Sequence, residues 1–224
     1  MIMGTWPDDY DLNDTPEIGA RIIAFIQDEM HRLEEYDNKR PQGSGLAYVF
    51  HTHSYRVAQD IKDTCLYMGL GDLVAENMYW ATLPHDIGKR MLPVEIWNET
   101  EEQPSADLKN LRRSHTDLGA AIVKEELGDI DHPFINLMTD IMRYHHEQMN
   151  GKGYHGLSGD MLSMPVRLAA IVEAFDGWRI KRPHYGDRDI SVPGVLKRMR
   201  EEKGAAHFDM KLFEPFAEMK MREP

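Results

Sequence analysis

The sequence predicts an all-α fold. Three observations carry it: apolar residues recur at helical spacing segment after segment, alternating strand patterns are absent, and Gly or Pro punctuates the chain at helix-length intervals. With 224 residues, 42% apolar and 29% charged, the chain can bury a sizeable core as one large domain or one domain with an extension.

Residues 1–13 are polar around Trp6-Pro7-Asp8-Asp9 and read as a loose arm. Asp14 or Thr15 can cap a first helix whose opening turn holds Pro16 and Glu17. Ile18, Ile22, Ile23, Phe25, Ile26, Met30 and Leu33 give that helix an apolar stripe suited to core or dimer packing. Pro41, Gly43 and Gly45 read as a linker, dividing an N-terminal arm and helix (1–45) from the main domain (46–224). A helix over 47–68 follows, ended by Gly69 and Gly71, and Asp72 can cap the next, which runs into His85-Asp86. Pro93 and an acidic, Pro104-bearing segment interrupt before a helix over roughly 108–127. Pro133 opens a helix reaching His145, and Pro165 opens one through Phe175. Helices over about 195–202 and 210–221 close the chain.

Composition removes several function classes. A net charge of −12 argues against a DNA-binding surface, which needs a basic face, but leaves a phosphorylated small molecule open where bound cations invert the local charge. No apolar run approaches the roughly 18 residues of a membrane span, and no basic-then-apolar signal pattern opens the sequence. The lone Cys65 excludes an intrachain disulfide and fits a cytoplasmic protein.

The chemistry lies in the histidines. His53, His85, His115 and His145-His146 recur at intervals of about 30 residues, which is one helix, a turn and a return. Residues so spaced can meet at one end of a helical bundle, where metal sites of such folds are built. Asp86 adjoins His85, Lys89 lies one turn beyond, and Glu173 and Asp176 stand three apart on one helical face. Imidazoles from four helices with two or three carboxylates suit iron, manganese, zinc or similar ions.

Assembled, these segments resemble the HD superfamily of metal-dependent phosphohydrolases, and more closely its HD-GYP branch. The resemblance runs over residues 48–216. His85-Asp86-Ile87-Gly88-Lys89 is similar to the naming motif, and His145-His146-Glu147-Gln148-Met149-Asn150-Gly151-Lys152-Gly153-Tyr154-His155 aligns without gaps to the branch's His-His-Glu-x-x-Asp-Gly-x-Gly-Tyr-Pro. His53-Ser54-Tyr55-Arg56-Val57, His115-Thr116-Asp117-Leu118-Gly119-Ala120 and Ile171-Val172-Glu173-Ala174-Phe175-Asp176 resemble its other ligand segments. Lys181-Arg182-Pro183 resembles the Arg-Pro that follows.

The resemblance implies a helical domain holding two divalent transition ions, iron or manganese first, with zinc, nickel and cobalt as alternatives. By position, His53, His85, Asp86 and Glu173 would hold one ion, with Asp176 as the alternative carboxylate. Asp86 would bridge to the second, held also by His115, His145 and His146. Lys89, Gly153, Tyr154 and Arg182 would contact substrate, and Asp86 and Lys89 would be the catalytic pair. The implied reaction is phosphodiester hydrolysis, notably of cyclic di-GMP; a di-iron oxygenase and a degenerate signalling module are the alternatives. The sequence departs from the branch pattern at Asn150 and His155, in a substrate-side loop, and at Glu173. The expected partner is an anionic phosphorylated small molecule or nucleotide, without DNA or membrane. The first helix can supply a homodimer contact, though packing on its own domain is favoured.

Overall fold

The core is built by helices packing on helices. The computed structural model describes residues 6–12, 14–40, 48–98, 103–181 and 187–222, and among these the one β feature is an isolated antiparallel bridge between Asn150 and Ser158. The all-α expectation holds.

Helix α1 (Pro16–Asn38) places Ile22, Ile26, Met30, Leu33 and Tyr36 on one buried face. They belong to the same apolar cluster as residues of the helices beyond the 41–47 segment, so α1 packs on its own chain. Tyr36 Oη donates to the Leu92 carbonyl at 2.7 Å, and Arg90 grips the buried Glu29 carboxylate at 2.8 and 2.9 Å. The foreseen side-chain cap is not made. Thr15 occupies the N-cap without such a bond, and Asp14 accepts from the Asp11 amide at 3.1 Å. Proline at the first turn removes a donor that would otherwise need a cap.

Residues 6–12 are not the loose arm that their polarity predicts. Asn77 donates to the Pro7 and Tyr10 carbonyls at 3.0 and 2.9 Å, and Leu12 is buried where its carbonyl crosses Gly19. A Cβ on Gly19 would collide with that carbonyl. The apolar area of Trp6, Tyr10 and Leu12 outweighs the exposed aspartates between them.

Helix α2 (Phe50–Tyr67) ends where Gly69 turns left-handed (φ 73°) and the Leu70 amide closes back on the Cys65 carbonyl at 3.0 Å. After this short reversal α3 (Asp72–Thr82) packs along α2. Gly71, rather than Asp72, is its N-cap, and Asp72 lies inside the first turn beside the positive end of the helix dipole.

The single helix expected over 108–127 is two. Helix α4 (Ala106–Arg113) stops at Ser114, whose hydroxyl bonds the Leu111 carbonyl at 2.7 Å, and α5 (His115–Leu127) starts one residue later. His115 thereby opens a helix of its own. Helices α6 (Pro133–Tyr144) and α7 (Met164–Arg179) follow, the latter capped by Ser163 with Pro165 beside it. Helix α8 (Val192–Arg198) passes through a π turn (Met199–Lys203) into the short α9 (Gly204–His207), and α10 (Met210–Arg222) closes the fold. Phe175, Phe213 and Phe216 are fully buried there, each contributing about 2 kcal/mol of apolar transfer free energy.

Candidate metal centre

Five segments meet at one end of the bundle, and each has a local reason to present its side chain. After α3 ends, the chain tightens into a 3₁₀ turn (Ile87–Met91). Gly88 in that turn lies directly against the α5 backbone: a Cβ would strike the His115 carbonyl and the Gly119 amide. Only glycine lets Asp86 come this close to His115. His145 sits at the C-cap of α6, and His53, Glu173 and Asp176 face inward from α2 and α7.

The resulting cluster is buried. His53, His85, Asp86, His115 and His145 are each at most 2% exposed. The two oxygens of Asp86 face different imidazoles. Oδ2 lies 3.7 Å from His53 Nε2 and 3.5 Å from His85 Nε2, whereas Oδ1 lies 3.3 Å from His115 Nε2 and 3.8 Å from His145 Nε2. Glu173 Oε2 adds contacts of 2.7 Å to His53 Nε2 and 3.3 Å to His85 Nε2. Two groups of three potential ligands result, His53-His85-Asp86 and His115-His145-His146, each with donor atoms within 4.8 Å of one another.

The ring tautomers follow from the backbone. Nδ1 of His85, His115 and His145 donates to the carbonyls of Thr82 (3.0 Å), Arg112 (2.6 Å) and Ile141 (3.0 Å), so their Nε2 lone pairs point into the cluster. His115 Nε2 and His145 Nε2 then face each other at 3.4 Å as two acceptors. That arrangement is repulsive without a cation between or beside them. Asp86 Oδ1 and His85 Nε2 are likewise buried with no hydrogen-bond partner, a costly condition that cation binding relieves. The donor set fits divalent transition ions.

Asp176, left open as a ligand by the sequence, has another task. It accepts from His53 Nδ1 at 2.6 Å and is held by Arg56 at 2.7 and 2.9 Å. It orients His53 so that Nε2 faces Asp86 and Glu173.

Electrostatics divide the cluster. Burial works against charge on His53, but Glu173 and then Asp176 outweigh it and raise its pKa to about 9. Burial would raise Asp86 and Glu173, yet Lys89 beside the first and His53 beside the second hold both well below the usual carboxylate range. Burial, reinforced by neighbouring imidazoles, lowers His145 well below its ordinary value and His146 to about 3. The His53 half is a charged lattice, whereas His145 and His146 in the other half are held neutral.

The remaining expected residues fall around this centre. Lys89 is buried with its ammonium paired to Asp86 Oδ2, 3.4 Å from Tyr48 Oη and over the rings of Phe50 (4.6 Å) and Trp97 (5.7 Å). Tyr154 lies at the rim, its ring 4.5 Å from that of His146 and beneath the Arg113 guanidinium at 5.0 Å. Gly153 packs on Glu147, where a Cβ would strike the Glu147 backbone and carboxylate. Arg182 lies outside the described residues.

The sequence did not single out Glu147, and it named Asn150 and His155 only as departures from the branch pattern. Glu147 accepts from the His155 and Leu157 amides at 2.6 and 2.7 Å and so folds the loop that carries Tyr154. Asn150 turns the same loop by accepting from the Lys152 amide at 3.0 Å, and His155 Nε2 lies 3.3 Å from Thr116 Oγ1. A cleft of about 390 Å³ opens beside His146 and Glu173, walled by Trp178, Lys203 and His207. Its far wall comes from the chain's last third.

The chain spans about a third of the curated relatives it matches. It is 28% identical over 171 residues to a 3′3′-cGAMP-specific phosphodiesterase 1 of Vibrio cholerae, covering 72% of this chain and 36% of that protein. It is 29% identical over 149 residues to the cyclic di-GMP phosphodiesterase PA4108 of Pseudomonas aeruginosa, covering 66% and 33%. Among solved structures, Bd1817, an HDG"Y"P protein from Bdellovibrio bacteriovorus, superimposes with a TM-score of 0.60 at 17% identity, over 93% of this chain and 63% of that one; it shares the fold. The HD domain model matches residues 23–212, from within α1 to within α10 and across the whole His/Asp cluster. This chain belongs to the HD domain family.

Proposed function

We propose that this chain is a metal-dependent phosphohydrolase that cleaves a phosphodiester, with a cyclic dinucleotide such as cyclic di-GMP as substrate. The observation that carries the reading is the divided Asp86 carboxylate, whose two oxygens face two imidazole sets while Oδ1 lacks a hydrogen bond. The relatives named as cyclic dinucleotide phosphodiesterases support the substrate class.

His53, His85, Asp86 and Glu173 would hold one divalent cation, and Asp86, His115, His145 and His146 a second, with iron or manganese the best match. Bound there, the pair would supply an activated water and positive charge at the phosphoryl oxygens. The chain's own residues prepare the rest. Asp176 and the Thr82, Arg112 and Ile141 carbonyls fix the imidazoles before any ligand arrives. Lys89 keeps Asp86 ionised and adds a buried positive charge beside the reacting phosphate. Arg182 would be the second cation on the phosphate, and Tyr154 would form the rim under which the substrate enters. We assign catalysis to residues 46–224 and a supporting role to residues 1–45. A cytoplasmic site of action accords with the free, buried thiol of Cys65.

The test is turnover of cyclic di-GMP and bis(p-nitrophenyl) phosphate by protein loaded with manganese or iron. Hydrolysis should be abolished by chelation, restored by metal and unchanged without dioxygen. No product from either substrate, or a strict need for dioxygen, would overturn the reading.

A further inference from the structure

The wall of the cleft opposite the His/Asp cluster carries positive charge that the proposed hydrolysis does not use. His146 and Glu173 line the cleft on the cluster side, and Lys203 and His207 line the other. The acidic groups on its wall are already engaged: Glu147 by two backbone amides and Glu173 by His53. No carboxylate pairs with Lys203 among the described residues. Lys203 and Lys152 both act on His207, which burial also disfavours in its charged form. In a chain of net charge −12, a lysine with no carboxylate partner on a cleft wall needs an explanation.

The backbone is built to hold that wall in place. Helix α8 widens into the π turn at Met199–Lys203, and Gly204 then takes a left-handed conformation (φ 48°). π turns inside helices cluster at functional sites because they re-aim side chains. The Met149 and Asn150 amides donate to the His207 and Ala206 carbonyls at 3.1 and 3.0 Å, tying this segment to the loop after His146. His207 Nδ1 is buried without a hydrogen-bond partner. A lysine, an unpartnered imidazole nitrogen and the aromatic face of Trp178 thus share one cleft with the cluster.

We infer that Lys203 and His207 form an anion subsite that holds a second, non-scissile phosphate of the substrate. The inference rests on the phosphodiesterase reading and narrows its substrate class to molecules with two phosphates, a dinucleotide rather than a single-phosphate ester.

The experiment compares wild type with Lys203→Ala, Lys203→Arg and His207→Ala on cyclic di-GMP and on bis(p-nitrophenyl) phosphate. It is paired with equilibrium binding of cyclic di-GMP to the metal-free proteins. Lys203→Ala should raise KM for the dinucleotide about tenfold, with kcat and the single-phosphate KM each moving less than about twofold. Lys203→Arg should recover most of the loss, and metal-free binding should weaken by the same factor as KM. Equal shifts on both substrates, or no shift on the dinucleotide, would overturn the subsite. If wild type hydrolyses neither substrate, the phosphodiesterase reading fails by itself. The binding arm then decides the subsite: cyclic di-GMP affinity that depends on Lys203 upholds it, and affinity that does not overturns it.

Discussion

The two halves of the cluster share Asp86 but are prepared differently. The His53 half carries two further carboxylates, and its proton on His53 stands where cation charge would otherwise lie: Nε2 bonds Glu173 at 2.7 Å and Nδ1 bonds Asp176 at 2.6 Å. The His115 half has only imidazoles besides the shared Asp86, with His115 and His145 fixed by helix carbonyls and left with opposed lone pairs at 3.4 Å. In the first half a proton on His53 satisfies Glu173 and Asp176, although His85 Nε2 stays unpaired; in the second no proton lies between the opposed rings. The difference teaches that two halves sharing one carboxylate need not be equally costly to the protein in the absence of a cation. It predicts proton-coupled binding in the His53 half, with no such proton to displace from His145 or His146 in the other.

The largest break of this comparison is removal of what the halves share. Asp86→Ala should lower hydrolysis by at least about a thousandfold. It also strands the buried Lys89 ammonium without its carboxylate, at about 3 kcal/mol in denaturant unfolding of the metal-free protein. Wild-type turnover in that variant would exclude the shared-ligand mechanism. A one-sided break comes next. Asp176→Ala releases His53 Nδ1 and should weaken one of the two metal affinities about 10- to 100-fold while sparing the other; equal loss at both would contradict the division.

Proton competition sharpens the same contrast with a smaller effect. In the metal-free protein His53 has a pKa of about 9, above its unfolded value of about 6.5. The stability it contributes is therefore full below about pH 6.5 and lost as pH rises through 9. A cation must displace that proton, so affinity of the His53 half should climb by up to about tenfold per pH unit across this window. His145, lowered well below its ordinary value, and His146, lowered to about 3, are already neutral there and should add no such slope at the other half. Calorimetric titration at several pH values reads both. The smallest change is His155→Ala, which removes the 3.3 Å contact to Thr116 and an edge-to-face contact with the Tyr144 ring at 5.4 Å. It should shift stability by about 1 kcal/mol or less and leave metal content intact; loss of an ion would tie this loop to the cluster.

Much of this was legible in the sequence because helical periodicity and histidine spacing are local records of a long-range arrangement. Apolar stripes fixed the helices, and the recurrence from His53 to His146 brought together residues that the fold does assemble. What was hidden depends on contacts between segments. Ser114 divides one expected helix because its hydroxyl turns back on Leu111, and an apolar pattern carries no such signal. The different placements of Glu173 and Asp176 depend on the direction of the His53 ring, since Glu173 Oε2 faces Nε2 and Asp176 Oδ2 faces Nδ1. The packing of residues 6–12 is hidden because aspartates dominate their composition, while the distant Asn77 and the nearby Gly19 accommodate their backbone. Lys203 stands 30 residues beyond Glu173, and only the π turn and its tie to the 149–150 segment place it in the cleft.

The central claim is that Asp86 divides one buried cluster into two cation sites. Elemental analysis of metal-replete protein, after removal of loosely bound ions, tests it most directly. The account predicts two transition ions per wild-type chain, and a single ion per chain under those conditions would contradict it.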